Sequence, residues 1–306
     1  MKVLVCNDMR FTGGQLDQLR ALGMDVVELR SERGPCPEEY RDVEAVVGFL
    51  FFNYNDIASF PRLRVIHTTS AGLDHMPLDY IREHGIALYN AGGVYSAPMA
   101  EFALGGVLQF YKLAPRFRRQ QREHVWKQNS HLLELEGKRV CIVGAGSIGG
   151  ETARRFSAMG CVVTGLCRHP APKEFFHQVK GMDCLDSVLE ESDIVILALP
   201  LSEETTHLFD AGRFAHMKEG AVFVNMARGP ICDTQALIDT LQAGRLMGAV
   251  IDVCDPEPLP ADSPLWDMEN VLLTPHNSFV GDRNRERMMN LICKDFAAYL
   301  AEQEGN

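Results

Sequence analysis

The chain has 306 residues, a formal net charge of -11 at pH 7, 46% hydrophobic residues and 23% charged residues. This length predicts two domains, each large enough to have its own core. The acidic balance argues against general affinity for nucleic acid or for an anionic membrane surface. We therefore expect no nucleic-acid or membrane partner. An anionic ligand would have to be bound by locally placed cations or backbone N–H groups.

Nine cysteines are scattered along the chain without a C-x-x-C pair or a paired histidine spacing. Several lie in apolar strand patterns, where cysteine acts as a small hydrophobic residue. This usage predicts a reducing compartment, with no disulfide and no metal site. The first residues resemble a strand that soon becomes polar, not a secretory signal. The longest apolar runs, 45–52 and 194–201, are too short to span a bilayer. We expect a cytoplasmic protein.

Alternating strand and helix patterns predict parallel sheets joined by crossover helices. The predicted strands of the first part are Lys2–Cys6, Asp25–Leu29, Ala45–Val47, Arg64–His67 and Ile86–Tyr89, with helices that include Gly14–Leu22 and Leu78–Glu83. A long helical stretch follows, from Pro98 to about Trp126. Pro98 suits the first helical position, and Pro115 should kink or split the helix.

The second part begins at Lys138 and has about the strand count of a full dinucleotide-binding unit. Its predicted strands are Arg139–Val143, Cys161–Leu166, Asp193–Ala198, Ala221–Asn225, Gly248–Asp252 and Val271–Leu273, with helices that include Asp233–Gln242. The tail, Gly281–Gln303, is again helical and is expected to pack on the first domain. The chain would then cross between the domains twice.

A glycine motif of the form G-x-G-x-x-G follows the first strand of the second part. Its glycines are Gly144, Gly146 and Gly149, and a helical pattern comes next. Such glycines allow a tight turn, close approach of the backbone to a pyrophosphate, and close packing of helix on strand. The N-terminus of the helix then binds the phosphates. With this strand and helix context, a dinucleotide site is favoured over an ordinary loop.

Three further segments each place a reactive side chain after a predicted strand. They carry Arg228, Glu257 between two prolines, and His276. An arginine in such a turn binds a carboxylate through two parallel hydrogen bonds, and the prolines would fix the glutamate in space. Each residue alone is more often structural or surface-exposed. Their shared position at the edge where open α/β sheets bind ligands favours one active site.

Along almost its whole length the chain resembles the D-isomer-specific 2-hydroxyacid dehydrogenases. The matching segments are Ser70–His75, Asn90 with Gly93, Met99–Glu101, the glycine motif, Leu199–Thr205, Asn225–Gly229, Asp252 with Glu257–Pro260, and Thr274–His276. The resemblance implies an α/β fold of two Rossmann-like, doubly wound parallel domains with the active site in the cleft between them. Residues 1–96 with 281–306 would form the substrate-binding domain and residues 97–280 the dinucleotide-binding domain. Members of this family are usually homodimers.

The same resemblance implies roles for individual residues. His276 would be the acid that protonates the carbonyl oxygen of the substrate, and Glu257 would hydrogen-bond its imidazole. Arg228 would bind the substrate carboxylate, helped by backbone N–H groups of Ala71 and Gly72. The implied cofactor contacts are Gly144, Gly146, Ser147, Ile148, Gly149, Arg168, His169, Leu199, Pro200, Thr205, Ala227 and Asp252, the last of these at the nicotinamide amide.

The cofactor preference is predicted from the end of the second strand of the dinucleotide domain. Many family members have an acidic residue there, which binds the adenosine ribose, but this chain has Cys167 followed by Arg168 and His169. An arginine binds a 2′-phosphate that a carboxylate would repel. We therefore expect NADP to be preferred, with NAD possible if Arg168 is only a solvated surface residue.

Three functions are compatible with these residues. The favoured one is reduction of a small 2-oxo acid, such as glyoxylate, hydroxypyruvate or a short 2-ketoacid, to the D-2-hydroxy acid. The second is oxidation of a substrate such as D-3-phosphoglycerate, although such enzymes often carry regulatory domains that do not fit in this length. The third is a non-catalytic NAD(P)-sensing corepressor on the same fold, since a fold alone does not fix function.

Overall fold

The computed structural model describes residues 1–304 of the chain. The chain separates into two compact units. The first unit comprises Met1–Tyr95 and the residues from Gly281 onward, and the second comprises Ser96–Val280. Each unit is built on its own sheet, in which every described strand pairing is parallel. The α/β fold class with two doubly wound parallel sheets is therefore confirmed.

The first unit has a five-stranded sheet in the order β2-β1-β3-β4-β5. Its strands are β1 (Lys2–Cys6), β2 (Asp25–Leu29), β3 (Ala45–Gly48), β4 (Val65–Thr68) and β5 (Ala87–Tyr89). Its helices are α1 (Gly13–Ala21), α2 (Phe51–Tyr54), α3 (Leu78–Glu83) and the last helix of the chain, α10 (Asn284–Glu304). Strands β1, β3 and β4 are almost entirely buried, as expected where helices cover both faces of a parallel sheet.

Helix α10 packs on the sheet of the first unit. Its buried side chains, which include Met288, Ile292 and Phe296, lie on one face at helical spacing and belong to the same core as residues of β1, β3 and β4. Arg287 also donates from its guanidinium to the carbonyl of Val94 at 2.8 Å. The C-terminal segment is thereby part of the first unit.

The second unit has a seven-stranded sheet in the order β12-β11-β10-β9-β6-β7-β8. Its strands are β6 (Arg139–Val143), β7 (Val162–Leu166), β8 (Gln178–Lys180), β9 (Ile194–Leu197), β10 (Val222–Asn225), β11 (Gly248–Ile251) and β12 (Val271–Leu273). Its helices are α4 (Ser96–Tyr111), α5 (Ala114–Arg122), α6 (Ser147–Ala158), α7 (Leu185–Glu191), α8 (Ala211–His216) and α9 (Thr234–Gln242). The first six strands in chain order reproduce the dinucleotide-binding order 3-2-1-4-5-6. No helix within residues 1–304 is both long and apolar enough to cross a membrane.

The long helix predicted from Pro98 to Trp126 is two helices, α4 and α5. The break lies at Leu113, whose φ of 53° is in the left-handed region and ends the first helix. The stretch is thus split near Pro115, as one of the two predicted outcomes, and is not a continuous kinked helix. Pro115 lies in the first turn of α5, where its missing N–H leaves no hydrogen bond unmade. Pro98 is likewise the third residue of α4, not the first.

Strand β8 (Gln178–Lys180) was not predicted from the sequence. It is three residues long and pairs only with β7 among the described strands, at the edge of the sheet. Its two outer residues are polar, and only the first of them is exposed. Neither a continuous apolar run nor a clear alternation marks such a strand in the sequence.

Candidate active site

The three predicted catalytic residues follow three strands that are neighbours in the sheet of the second unit. Arg228 follows β10, Glu257 follows β11 and His276 follows β12. The registers pair Asn225 with Ile251 and Ile251 with Leu273, so these strands end at the same level. The carboxyl ends of neighbouring parallel strands bring the three segments to one edge of the sheet.

Glu257 and His276 form a direct side-chain pair. Glu257 Oε2 lies 2.9 Å from Nδ1 of His276, and Glu257 Oε1 accepts a hydrogen bond from the Cys254 backbone N–H at 3.0 Å. The His276 side chain is 42% exposed and the Glu257 side chain is 40% exposed. Since Nδ1 is held by the carboxylate, Nε2 is the ring nitrogen that remains for proton exchange with a ligand. The pair is thus oriented by the protein and open to small molecules.

The Arg228 segment is packed tightly against the segment that leads to Glu257. A Cβ atom added at Gly229 would lie 1.8 Å from the Cys254 carbonyl oxygen, so only glycine permits this approach of the two backbones. Asn225 holds the turn, accepting from the Ala227 N–H at 3.1 Å and donating to the Arg228 carbonyl at 3.2 Å. The Arg228 guanidinium donates to the Ala227 carbonyl at 2.8 Å and is partly exposed.

Asp252 has partners in the structure that the sequence did not predict. Its side chain is 1% exposed, and its carboxylate accepts from the Thr274 hydroxyl at 2.6 Å, the Asn277 N–H at 2.7 Å and the Ser278 N–H at 3.0 Å. The sequence predicted a contact with the nicotinamide amide. In the structure the carboxylate holds the turn that carries His276, and the nicotinamide contact stays a prediction.

The glycine motif has the geometry that its spacing predicts. A Cβ at Gly144, whose φ is +109°, would lie 2.2 Å from the Ala198 carbonyl oxygen, and a Cβ at Gly149 would lie 1.9 Å from the Gly144 carbonyl oxygen. A Cβ at Gly146 would meet nothing within 4 Å. The outer two glycines thus allow the turn and the close packing of α6, while the middle one leaves space beside the N-terminus of that helix. These residues fit a dinucleotide pyrophosphate.

The remaining predicted cofactor residues line the same edge of the sheet. Ser147 and Ile148 open helix α6, and Ala227 is buried beside Arg228. Leu199 and Pro200 follow strand β9. The Thr205 hydroxyl folds that segment back, donating to the Pro200 carbonyl at 2.9 Å and accepting from the Ser202 N–H at 2.7 Å.

Arg168 and His169 are exposed after strand β7, and Cys167 is partly exposed. The Arg168 guanidinium forms an ion pair with the carboxylate of Glu204, a residue that the sequence did not single out. The Lys173 ammonium donates to the Ala145 carbonyl within the glycine turn and was also missed. The only available signal for Lys173 was a second cation shortly after Arg168.

Ala71 and Gly72 lie in the first unit, in the loop after strand β4. The Ala71 carbonyl accepts from the Asn90 side chain at 2.9 Å, and the Gly72 carbonyl accepts from the Ser70 hydroxyl at 2.7 Å. Because each peptide group is planar, holding the Ala71 carbonyl also fixes the direction of the Gly72 N–H. The Ser70 carbonyl, which accepts from the Ala91 N–H at 2.9 Å, fixes the Ala71 N–H in the same way. The Ala71–Gly72 loop is thus ordered by side chains that the family pattern includes.

The Cys254 thiol lies beside the Glu257 carboxylate, and no metal-ligand cluster is found among the described residues. Within residues 1–304, no group of three or more His, Cys, Asp or Glu side chains is arranged to hold a metal ion. Burial, followed by the charges of Glu257 and Asp252, raises the pKa of the Cys254 thiol to about 11. At neutral pH this thiol stays protonated and is a poor nucleophile.

Comparison with known proteins identifies the family. The model of the NAD binding domain of D-isomer specific 2-hydroxyacid dehydrogenases matches residues 104–278, more than half of the chain and entirely within the second unit. The chain belongs to the D-isomer-specific 2-hydroxyacid dehydrogenase family. It is therefore an oxidoreductase with a nicotinamide-cofactor domain.

Individual relatives agree with this assignment. The chain is 35% identical to a glyoxylate reductase of Thermofilum pendens over 78% of this chain and 73% of that protein. It is 33% identical to glyoxylate/hydroxypyruvate reductase B of Escherichia fergusonii over 82% and 78% respectively. Its fold matches a D-isomer specific 2-hydroxyacid dehydrogenase from Xanthobacter autotrophicus Py2, solved with NADPH and MES, with a TM-score of 0.78 and 30% identity over 95% of this chain and 92% of that one.

Proposed function

We propose that this dehydrogenase reduces a small 2-oxo acid, such as glyoxylate, hydroxypyruvate or a short 2-ketoacid, to the D-2-hydroxy acid. The observation that carries the proposal is the His276–Glu257 pair at 2.9 Å. Its two residues follow β11 and β12, next to the segment after β10 that carries Arg228, at the edge of the sheet that also carries the glycine motif. Relatives named glyoxylate reductase and glyoxylate/hydroxypyruvate reductase support this substrate class.

The residues of the second unit supply the acid–base and binding chemistry. Arg228 binds the substrate carboxylate through its guanidinium and polarises the neighbouring 2-oxo group. His276 Nε2 gives a proton to the carbonyl oxygen, which becomes the hydroxyl, and takes it back in the reverse direction. Glu257 holds the other ring nitrogen and stabilises the imidazolium. The bound nicotinamide cofactor supplies or receives the hydride.

NADP is the proposed preferred cofactor, with NAD as the alternative. The absence of an acidic residue at Cys167 removes the charge that would repel a 2′-phosphate, and Arg168 follows directly. The ammonium of Lys173 adds positive charge at the glycine turn. Arg168 is itself paired with Glu204, and this pairing reduces the strength of the preference.

Several features of the proposed enzyme are still predictions. We assign substrate binding to the first unit, with the Ala71 and Gly72 N–H groups as carboxylate donors, and cofactor binding to the second. A homodimer is expected from the family resemblance. Nine free thiols agree with a reducing compartment, and we propose the cytoplasm.

One spectrophotometric screen separates the three hypotheses. NADH and NADPH are each mixed with the wild-type protein and a panel of plain and phosphorylated 2-oxo acids, and loss of the reduced nicotinamide absorbance is followed. Fastest turnover of a plain acid with NADPH supports the proposal. A requirement for a phosphorylated substrate favours an enzyme of the phosphoglycerate dehydrogenase type. Dinucleotide binding without turnover of any acid favours the sensing corepressor.

A further inference from the structure

The Arg168–Glu204 ion pair joins two loops on opposite sides of the glycine strand. Strand β6, which leads into the glycine motif, lies between β9 and β7 in the sheet. Arg168 lies two residues after the end of β7, whereas Glu204 lies in the loop after β9. The pair therefore reaches across the carboxyl end of β6, the place where a dinucleotide crosses the sheet in this fold.

Both members of the pair are exposed. The Arg168 side chain is 64% exposed and the Glu204 side chain is 73% exposed. Exposed ion pairs are weak and exchange readily with other partners. A dianionic phosphate that binds the guanidinium through two hydrogen bonds therefore competes effectively for Arg168. This competition weakens phosphate binding, because the Glu204 carboxylate loses its ion-pair partner and stays close to the negatively charged phosphate.

We propose that Glu204 is a coenzyme-specificity residue, which weakens the binding of 2′-phosphorylated dinucleotides by occupying Arg168 and repelling the phosphate. The inference rests on the proposed function, since it needs a dinucleotide at the glycine motif. A dinucleotide without the 2′-phosphate has no group that binds Arg168. Its binding therefore leaves the Arg168–Glu204 ion pair intact. Glu204 thus moderates the preference that Cys167 and Arg168 create.

The chain provides a matched control for the charge of Glu204. Glu203 is adjacent to Glu204 and is also exposed. Its replacement by glutamine changes the net charge by the same amount as Glu204→Gln. A general electrostatic effect on dinucleotide binding would appear in both variants. An effect of the specific pair would appear only when Glu204 is changed.

The experiment is calorimetric titration of the wild-type, Glu204→Gln, Glu203→Gln and Arg168→Gln proteins with NADPH and with NADH, without substrate. We expect Glu204→Gln to tighten NADPH binding about two- to fivefold, the range of an exposed ion pair, and to leave NADH binding unchanged. Arg168→Gln should weaken NADPH binding about tenfold or more and spare NADH. The Glu204→Gln gain should shrink as salt is added, because exposed charges are screened.

Two results would overturn the inference while leaving the proposed function in place. One is an unchanged ratio of NADPH to NADH affinity in Glu204→Gln. The other is an equal change in that ratio in Glu203→Gln. Failure of the wild-type protein to bind either dinucleotide would instead contradict the proposed function, and the inference with it.

Discussion

The backbone N–H of His276 donates to the carbonyl of Asp252 at 2.7 Å, and the φ of His276 is 50°. A histidine in the left-handed region is uncommon and is maintained only when its surroundings hold it there. Asp252 supplies that restraint twice, through this carbonyl and through a buried carboxylate that accepts three hydrogen bonds from the same turn. Asp252, at the end of strand β11, thus positions His276, the proposed acid.

Replacing Asp252 by Asn should loosen the His276 turn. The amide group of asparagine presents donors where the Ser278 or Asn277 N–H now needs an acceptor, so we expect a loss of about 1–3 kcal/mol in the free energy of unfolding and a lower kcat. Urea unfolding and steady-state kinetics measure the two effects. The exposed Asp282→Asn variant is the control. Wild-type values of both quantities in Asp252→Asn would contradict this role.

The glycine motif gives a prediction that compares two adjacent residues. A Cβ at Gly149 would lie 1.9 Å from a backbone oxygen, whereas a Cβ at Gly150 would meet nothing within 4 Å. Gly149→Ala should therefore lower the melting temperature. Gly150→Ala should leave it unchanged or raise it, since alanine favours a helix over glycine by about 1 kcal/mol. Equal melting temperatures for the two variants would show that α6 does not pack as described.

Arg228→Lys tests the proposed carboxylate contact. Lysine keeps the charge but cannot make two parallel hydrogen bonds, so kcat/KM for a 2-oxo acid should fall about 10- to 100-fold. Arg213→Lys, at an ion pair on helix α8, provides the control and should behave as the wild type. If Arg228→Lys retained the wild-type kcat/KM, the substrate would have to be bound by other groups.

The buried His67–Asp295 pair predicts a pH dependence of stability in the first unit. His67 is fully buried with Nε2 3.1 Å from the Asp295 carboxylate, and burial lowers its pKa although Asp295 acts in the opposite direction. The folded protein therefore binds this proton less readily than the unfolded chain, whose histidine has a pKa of about 6.5. The stabilising contribution is present above that pH and is lost as the pH falls below it.

Chemical unfolding at about pH 7.5 and about pH 5.5 measures this contribution. We expect the wild-type protein to lose more unfolding free energy between the two pH values than His67→Gln, in which the imidazole is replaced by a neutral amide. Because each protein is compared with itself, a general loss of stability in the variant does not obscure the result. Equal losses of unfolding free energy in the two proteins would show that His67 does not contribute to the pH dependence of stability.

The sequence predicted most of the core strands and the location of the proposed catalytic residues, and the reason is physical. Buried parallel strands are continuous apolar runs, and reactive side chains placed after them meet at one sheet edge. Arg228, Glu257 and His276 could therefore be grouped without coordinates. Glycine spacing marked the turn after β6 because the close approach of backbone segments at Gly144 and Gly149 excludes a Cβ.

What the sequence did not reveal depends on tertiary contacts or on weak local signals. The helix breaks at Leu113, two residues before the proline at which a kink or split was predicted. The exact position could not be predicted, because left-handed backbone at a leucine has no sequence signature. The hydrogen bonds that the Asp252 carboxylate accepts from the turn after β12 were not predicted, because nothing local in the sequence shows them. Glu204 lies 36 residues from Arg168, so only the strand order brings the two together.

The most direct measurement of the central claim is the turnover of NADPH and a 2-oxo acid by His276→Ala. The matched control is His216→Ala, which removes another histidine whose Nδ1 lies 2.9 Å from a glutamate carboxylate, that of Glu190. Loss of the general acid should lower kcat by about 10²- to 10⁴-fold in His276→Ala, with dinucleotide binding retained, and His216→Ala should match the wild type. A His276→Ala protein that turns over at the wild-type rate would contradict the proposed mechanism.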